Sequence, residues 1–362
     1  MKLLCFAIAS WCGLLNSVCQ GASIQYSVID LGTLPGGTLS EAGAINAGGD
    51  VTGNADTVGG GRHVFLYSQG KMSDLGTLKG FGSSIGNSIN SKQQIVGAAH
   101  IHEINSSPES AFLSESDVLV ALKGVKRYSE SRCWDVNESG QSTGSITMEG
   151  LTAYTHAFLY SGGSLTDLGT LVPKSQPWHD FPPYSEGFAV NNQGQIVGST
   201  TVSRLGTDGA THQHAFLYVR GRMTDLGVPP GFTDSQGSGL NDQGQVIGST
   251  FVTSRQDPRA QNRCPFLWNR GQFTVLKPSH PDEELHLAAI NDAGEAVGTD
   301  SYDLKFHPIL YKDGKVTDLN VLIPTSAGIL LEQANGINDH GQIVATGTHD
   351  GKRRAFLLTR QP

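Results

Sequence analysis

The sequence predicts an all-β fold, a seven-bladed β-propeller of four-stranded blades whose ring is closed by its own N-terminal strand. Three observations support this prediction. A unit of two hairpins recurs seven times, and 46 glycines with few helix-periodic stretches favour short strands and tight turns. The last unit, RAFLLTRQP, stops at Pro362, while the segment VIDLGTL at 28–34 precedes the first unit without a hairpin of its own. Joining the two ends completes the seventh blade, which an open solenoid would not require.

The first hairpin of each unit follows the pattern GINDxGQIVG. It can be traced by its asparagine, at 44- to 54-residue spacing, through Asn46, Asn90, Asn137, Asn191, Asn241, Asn291 and Asn338. Asparagine can bond its own backbone two residues on, and the following glycine tolerates a left-handed conformation. Calcium binding is the alternative interpretation, but the turns offer at most one or two carboxylates, and Lys92 lies in one of the turns. We therefore interpret the asparagine as a turn residue.

The second hairpin follows the pattern FLYxxGxxTDLGTL, so each unit supplies four short strands. Such a unit exposes apolar residues on both faces and requires neighbours on each side. Because 28–34 matches the TDLGTL strand, we expect it to be the outermost strand of blade 7. The GIN strand is then innermost and the FLY strand third. Small residues suit the crowded axis, and they stand two positions before the asparagine at Ala44, Ser88, Ala189, Gly239, Ala289 and Gly336.

Four histidines that precede FLY-type strands are each followed eleven residues later by an aspartate. The pairs are His63 with Asp74, His156 with Asp167, His214 with Asp225, and His307 with Asp318. Two units lose both partners together, and in the split unit Arg354 and Asp30 occupy the two slots. Loss of both partners together is typical of two residues that hydrogen-bond across neighbouring strands. We predict such a bond for the four histidine–aspartate pairs and for Arg354 with Asp30. A catalytic or metal-binding histidine ring is the alternative. Packed sheets lie about 10 Å apart, too far for shared ligands, so no metal site is predicted.

The segments His156–Tyr160 and His214–Tyr218, both HAFLY, are joined to TDLGTL and GINDxGQIVG elements. In this combination the chain resembles the HAF family of probable extracellular repeats over nearly all of its length after the N-terminal segment. Ser110 and Cys264 replace the first histidine in two units, and Ile309 replaces the phenylalanine in another. The resemblance implies an exported repeat protein and brings no reaction with it.

The N-terminus is typical of a secretory signal, with Lys2 before an apolar run to Leu15. We predict a signal peptide at 1–22 and a single propeller at 23–362, secreted to the periplasm or the extracellular space. Val18 argues against a lipid anchor on Cys19. No later stretch has the length of a membrane span. The net charge of -8 argues against a nucleic-acid partner. No cofactor motif is present, and a disulfide scaffold is not predicted.

Two surfaces are candidate binding sites. The long connections gather on one face of the predicted ring, where loops on a rigid scaffold commonly carry function. Candidate contacts there are Trp178, His179, Phe181, Tyr184, Arg255 and Arg259. A polar rim is predicted around the axis, five residues before each turn asparagine, with candidates Glu41, Arg132, Glu186, Gln236, His286 and Gln333. We expect the rim charges to pair with one another.

The sequence favours an exported, noncatalytic binding or interaction scaffold that recognises a protein or a surface polysaccharide through the loop-rich face. A polymer-acting hydrolase or lyase that uses the axial rim is one alternative. No nucleophile-base-orienter spacing marks such an enzyme, and no catalytic residue is assigned. A purely structural role in an envelope or matrix is the other alternative.

Overall fold

Seven four-stranded antiparallel sheets account for nearly all regular structure in a computed structural model of the chain, which describes residues 26–104, 108–148, 154–172, 183–203, 211–253, 263–276, 284–303 and 305–362. The sheets form the blades of a β-propeller, which confirms the predicted fold class. The predicted signal peptide lies outside the described residues. No helix in the described ranges is long and apolar enough to cross a membrane.

Blades 1 to 6 each take four consecutive strands, and the first strand of each blade is nearest the axis. Blades 1 to 3 comprise β2 (Ser40–Ile45), β3 (Val51–Asp56), β4 (Arg62–Ser68), β5 (Lys71–Gly76), β6 (Ser83–Ile89), β7 (Ile95–His100), β8 (Glu109–Glu115), β9 (Val118–Ala121), β10 (Glu130–Val136), β11 (Ser142–Met148), β12 (Tyr154–Ser161) and β13 (Ser164–Gly169). Blades 4 to 6 comprise β14 (Ser185–Val190), β15 (Ile196–Ser203), β16 (His212–Val219), β17 (Arg222–Gly227), β18 (Asp234–Leu240), β19 (Val246–Phe251), β20 (Cys264–Asn269), β21 (Gln272–Val275), β22 (Glu284–Ile290), β23 (Ala296–Tyr302), β24 (Lys305–Lys312) and β25 (Lys315–Asp318). Short 3₁₀ turns lie at Val125–Arg127, Leu319–Val321 and Thr325–Ala327.

Blade 7 is built from both ends of the chain. Its strands from the axis outward are β26 (Ile329–Ile337), β27 (Ile343–His349), β28 (Lys352–Arg360) and β1 (Tyr26–Asp30). Asp30 stands opposite Phe356 in the β1–β28 register. The predicted ring closure is confirmed, but the closing strand is Tyr26–Asp30 rather than 28–34. It ends early because the Asp30 carboxylate accepts the Gly32 N–H at 2.8 Å, and Gly32 turns the chain with a φ of 78°.

All seven inner strands carry a β-bulge three residues before the turn asparagine. The register of each inner strand with its neighbour skips the residues Gly43, Asn87, Trp134, Phe188, Ser238, Ala288 and Asn335. The close approach at the bulge explains the glycine that ends the IVG segment. A Cβ on Gly198 would lie 1.9 Å from the Glu186 carbonyl oxygen, so no side chain fits there.

The apolar core lies between neighbouring blades rather than within one of them. The phenylalanine of the FLY strand is fully buried in six blades, at Phe65, Phe112, Phe158, Phe216, Phe266 and Phe356. Phe216 packs with Val190 and Ile196 of its own blade and with Ala157 of blade 3. Burying one such ring stabilises the fold by roughly 1.5–3 kcal/mol, and each blade obtains much of this from its neighbour. The ring is therefore the unit that folds.

Candidate functional site

A cavity of about 530 Å³ opens on the axis at the end where the inner strands begin. All seven bulge residues line it, because each bulge turns its side chain toward the axis. The rest of the wall comes from the inner two strands of the blades, namely Glu41, Ala42, Asn54, Ile85, Gly86, Gln236, Ser249, His286, Gln333 and Thr346. The described strand ends that flank the long connections, where second strands end and inner strands begin, lie at this same end of the ring, so the cavity opens toward the loop-rich side.

One wall of the cavity is aromatic. Trp134 of blade 3 and Phe188 of blade 4 have ring centroids 5.9 Å apart and planes tilted by 47°. The Trp134 indole N–H donates to Glu186 at 2.6 Å, and the Arg132 guanidinium carbon lies 4.9 Å from the indole centroid. Arg132 is itself held by the Glu109 carboxylate, with a Nε–Oε2 distance of 2.7 Å. The indole is therefore fixed at its edge and on one face, which lowers the entropy cost of using it for binding.

The adjoining part of the wall, in blades 5 and 6, is polar. Gln236 and Ser249 of blade 5 and His286 of blade 6 make no side-chain hydrogen bond to a described residue. His286 is exposed to solvent at the cavity, but desolvation by the surrounding wall, with the positive charge of Arg263 in addition, lowers its pKa. This shift favours the neutral imidazole, which presents one N–H donor and one nitrogen acceptor.

The charged rim residues do not pair with one another, contrary to our expectation. Glu41 binds Arg62 at 2.8 Å and Arg353 at 2.5 Å, and Arg353 also binds Glu332 at 2.6 Å. The inner strand of blade 2 stands between Glu41 and Arg132 and contributes the apolar Ile85 to the wall. Rim charges therefore pair with side chains farther from the axis. The cavity is left nearly balanced in charge.

Among the predicted contacts of the loop-rich face, Tyr184 alone falls within the described residues. Its hydroxyl donates to Glu186, and its backbone pairs with Thr201 through bonds of 3.1 and 2.8 Å. Burial and the adjacent Glu186 carboxylate raise the pKa of Tyr184 well above its ordinary value. Tyr184 thus supports the rim carboxylate that orients Trp134, rather than standing free on the loop. The remaining candidates on this face lie outside the described residues, at Trp178, His179, Phe181, Arg255 and Arg259.

The opposite end of the axis carries a closed circuit of amide hydrogen bonds that the sequence did not predict. The side-chain amide of each turn asparagine donates to the backbone carbonyl of the asparagine in the next blade, from Asn46 to Asn90 and onward until Asn338 returns to Asn46. The bond from Asn241 to Asn291, for example, measures 2.9 Å. The side-chain oxygen of Asn241 meanwhile accepts the Gln245 N–H at 2.9 Å, as a turn asparagine should.

The four histidine–aspartate pairs are in hydrogen-bond contact at the outer strands. The distances from histidine Nδ1 to the aspartate are 3.0 Å for His63–Asp74, 2.9 Å for His156–Asp167, 2.9 Å for His214–Asp225 and 3.2 Å for His307–Asp318. Burial alone would raise the pKa of Asp225, but hydrogen bonds from His214 and the Gly227 N–H outweigh it and lower the pKa. These pairs face away from the cavity lining.

The fifth predicted pair requires a correction. Asp30 is bonded by His349 at 2.7 Å, whereas the Arg354 Nε lies 4.0 Å from the same carboxylate oxygen. Arg354 donates instead to the Thr38 carbonyl. His349 lies at the end of β27, outside the repeated His slot, so the eleven-residue spacing could not identify it. Arg354 therefore contributes at most a long ion pair to the closure.

No group of three or more histidine, cysteine, aspartate or glutamate side chains is arranged to hold a metal ion within the described part of the chain. Cys133 and Cys264 are not joined in a disulfide. Burial raises the pKa of the Cys133 thiol to about 12. The described lining of the axial cavity contains no cysteine. Its polar groups are amides, hydroxyls, one imidazole and one ion-paired carboxylate.

A family model described as "Protein of unknown function (DUF3466)" matches residues 185–357, the stretch from the start of β14 into β28. No curated protein matches the sequence. Similar solved structures share the fold at low identity. The β-propeller domain of the Trilobed protease from Pyrococcus furiosus has 9% identity and a TM-score of 0.54 over 89% of this chain and 97% of that domain. That propeller has an open velcro topology, whereas β1 closes the ring here.

The acylaminoacyl peptidase of Pyrococcus horikoshii has 9% identity and a TM-score of 0.55, covering 89% of this chain and 52% of that chain. An extracellular domain from B. thetaiotaomicron has 12% identity and a TM-score of 0.51, covering 93% of this chain and 40% of that chain. The present chain thus spans about half the length of such a peptidase. At these identities the likeness concerns the propeller fold alone.

Proposed function

We propose that this chain is an exported, noncatalytic binding protein of the HAF-repeat type, and that its ligand enters the axial cavity from the loop-rich face. The observation that carries the proposal is the composition of that cavity. A fixed aromatic wall at Trp134 and Phe188 shares the cavity with Gln236, Ser249 and His286, whose side chains make no hydrogen bond to a described residue. Pockets that combine an aromatic surface with a few convergent polar groups are typical ligand sites.

The rim carboxylates favour binding over catalysis. Both oxygens of Glu41 face arginine donors, and both oxygens of Glu186 accept hydrogen bonds, from Trp134 and from Tyr184. A general acid or base needs an oxygen that can reach the substrate. Each carboxylate here is instead used to hold a neighbouring side chain. The loops that carry Trp178 and Arg255 would extend the contact surface for a large partner, either a protein or a surface polysaccharide.

The test blocks the cavity without touching the loops. Ala288→Trp places an indole on the cavity wall, and Val118→Trp places the same group on the exposed outer strand β9 as a matched control. The purified chain and both variants are screened on glycan arrays and in pull-downs of the surrounding envelope and medium. We expect Ala288→Trp to abolish a specific interaction that Val118→Trp retains. An interaction that survives in Ala288→Trp would contradict an axial site.

One observation favours a second candidate, a polymer-acting lyase or hydrolase. His286 lines the cavity without a side-chain hydrogen bond to a described residue, and desolvation lowers its pKa, which favours the neutral form that a general base requires. His286→Gln keeps a polar side chain of similar reach but cannot exchange protons near neutral pH. An enzyme would lose turnover in this variant while still binding its polymer. A binding protein would show no turnover in either form, and a purely structural protein would show neither turnover nor ligand.

A further inference from the structure

We infer that the ligand of the axial cavity is an uncharged sugar unit, stacked against the Trp134–Phe188 wall and hydrogen-bonded by Gln236, Ser249 and His286. This inference rests on the proposed function, since it names the chemical class that the same cavity takes. It follows from three properties of the wall: its aromatic surface, its unused donors and acceptors, and its charge balance.

The aromatic surface suits a ring with one apolar face. A pyranose presents C–H groups on its faces and hydroxyls around its edge, and aromatic faces attract such weakly positive C–H groups. Glu186 and Arg132 hold the Trp134 indole before any ligand arrives. The Trp134 N–H is already used by Glu186, so the indole contributes surface rather than a hydrogen bond.

The remaining wall suits the hydroxyl edge of a sugar. A hydroxyl both donates and accepts, and so do the Gln236 amide, the Ser249 hydroxyl and the neutral His286 imidazole. The side-chain amide of Asn87 donates to the Cys133 carbonyl at 2.8 Å, and that of Asn335 donates to the Ala42 carbonyl at 2.5 Å. Their side-chain oxygens are then left as acceptors in the cavity wall. An apolar ligand would leave this set unpaired at a cost of about 1–3 kcal/mol for each group that loses water.

The charges exclude strongly ionic ligands. Glu41 is the single carboxylate of the described lining, and Arg62 and Arg353 already bind both of its oxygens. Neither an acidic nor a cationic ligand would find an unpaired opposite charge among these lining residues. Recognition of an uncharged ligand requires no change in these ion pairs. The volume of about 530 Å³ lies within the roughly 300–1,000 Å³ usual for small-molecule sites.

The test measures affinity for defined sugars in the full exported chain. The probes are neutral oligosaccharides of glucose, mannose, galactose and N-acetylglucosamine, with oligogalacturonate as the acidic comparison. Titration calorimetry is run at low and at high salt with wild type, Trp134→Ala, Trp134→Phe, Gln236→Ala and Ala288→Trp. Thermal unfolding of each variant establishes that it is folded.

We expect at least one neutral oligosaccharide to bind with an affinity that salt hardly changes, because no charge pairing is involved. Trp134→Ala should weaken it by about tenfold or more, and Trp134→Phe much less, since a ring surface remains. Gln236→Ala should also weaken it, and Ala288→Trp should abolish it.

Three outcomes would overturn the inference. Salt-sensitive binding of oligogalacturonate alone, or cavity-dependent capture of a protein with no sugar bound, would refute the sugar class while leaving the proposed axial binding site intact. Failure of folded wild type to bind any sugar in the panel would likewise refute the class. Sugar binding that persists in Ala288→Trp would refute both the inference and the axial site.

Discussion

The ring of turn asparagines gives a quantitative prediction about stability. In Asn241→Ala, the Asn291 carbonyl and the Gln245 N–H both lose their partner, and Asn241 is only 4% exposed. Each buried group left unpaired costs about 1–3 kcal/mol. Water can enter from the cavity of about 220 Å³ at this end of the axis and satisfy part of the loss. We expect the free energy of unfolding to fall by about 2–4 kcal/mol.

The isosteric Asn241→Asp separates the two bonds. It keeps the acceptor for the Gln245 N–H and loses only the donor to blade 6. The introduced carboxylate then faces the Asn291 carbonyl, which raises its pKa relative to the unfolded chain. Its protonated form can donate again. The stability difference from wild type should therefore shrink as the pH falls through that raised pKa.

Asn192→Ala is the matched control, because Asn192 is exposed and bonds Asp242 of the next blade at 2.7 Å. Exposed bonds are replaced by water, so the loss should stay below about 1 kcal/mol. Urea unfolding, followed by tryptophan fluorescence, measures all three variants. If Asn241→Ala costs no more than Asn192→Ala, the buried circuit does not stabilise the ring and the reasoning is wrong.

Three further predictions concern buried groups. Glu295→Gln removes the carboxylate that binds Arg360 at 3.0 Å across the boundary between blades 6 and 7. Urea unfolding should show that the free energy of unfolding falls by about 1–3 kcal/mol. An unchanged midpoint would exclude a stabilising ion pair. Burial would raise the pKa of Asp234, but its hydrogen bonds outweigh that effect and lower the pKa, so its contribution to stability is present above pH 3.8 and lost as the pH falls through the folded pKa. The loss of unfolding free energy in Asp234→Asn should therefore shrink below pH 4. A loss that stays constant with pH would refute this reasoning. Cys133 is fully buried, and burial raises the pKa of its thiol to about 12. In a Cys264→Ser variant that lacks residues 1–22, and with them Cys5, Cys12 and Cys19, a thiol reagent should label nothing until denaturant is added. Rapid labelling of the native protein would show that the core opens.

The blade count, the strand order and the ring closure could be predicted because they follow from repetition. Residues such as Phe216 and Gly198 recur at fixed places, and a split unit has few topological solutions. The end of β1 could not be placed, because the role of Asp30 in capping Gly32 depends on a local turn rather than on the repeat.

The site was harder to predict because its residues differ in every blade. Trp134 and Phe188 occupy bulge positions where other blades have glycine, serine, alanine or asparagine, so no pattern distinguishes them. Gln236 and His286 lie on the cavity wall, five residues before the turn asparagine of their blades. The ion-pair partners of the rim residue Glu41 could not be predicted, because Arg62 and Arg353 approach it from the third strands of blades 1 and 7.

The shared seventh blade has a consequence for biogenesis. Tyr26 and Arg360 are neighbours in the sheet although 334 positions separate them along the chain, so the final strand must emerge before the first can dock. Until β1 of the same molecule docks, β28 presents an unpaired edge, and the first strand of a second molecule could occupy that edge. Crowded nascent chains would then produce swapped dimers or longer assemblies. Dilution during refolding should favour the monomer, since closure within one molecule does not depend on concentration.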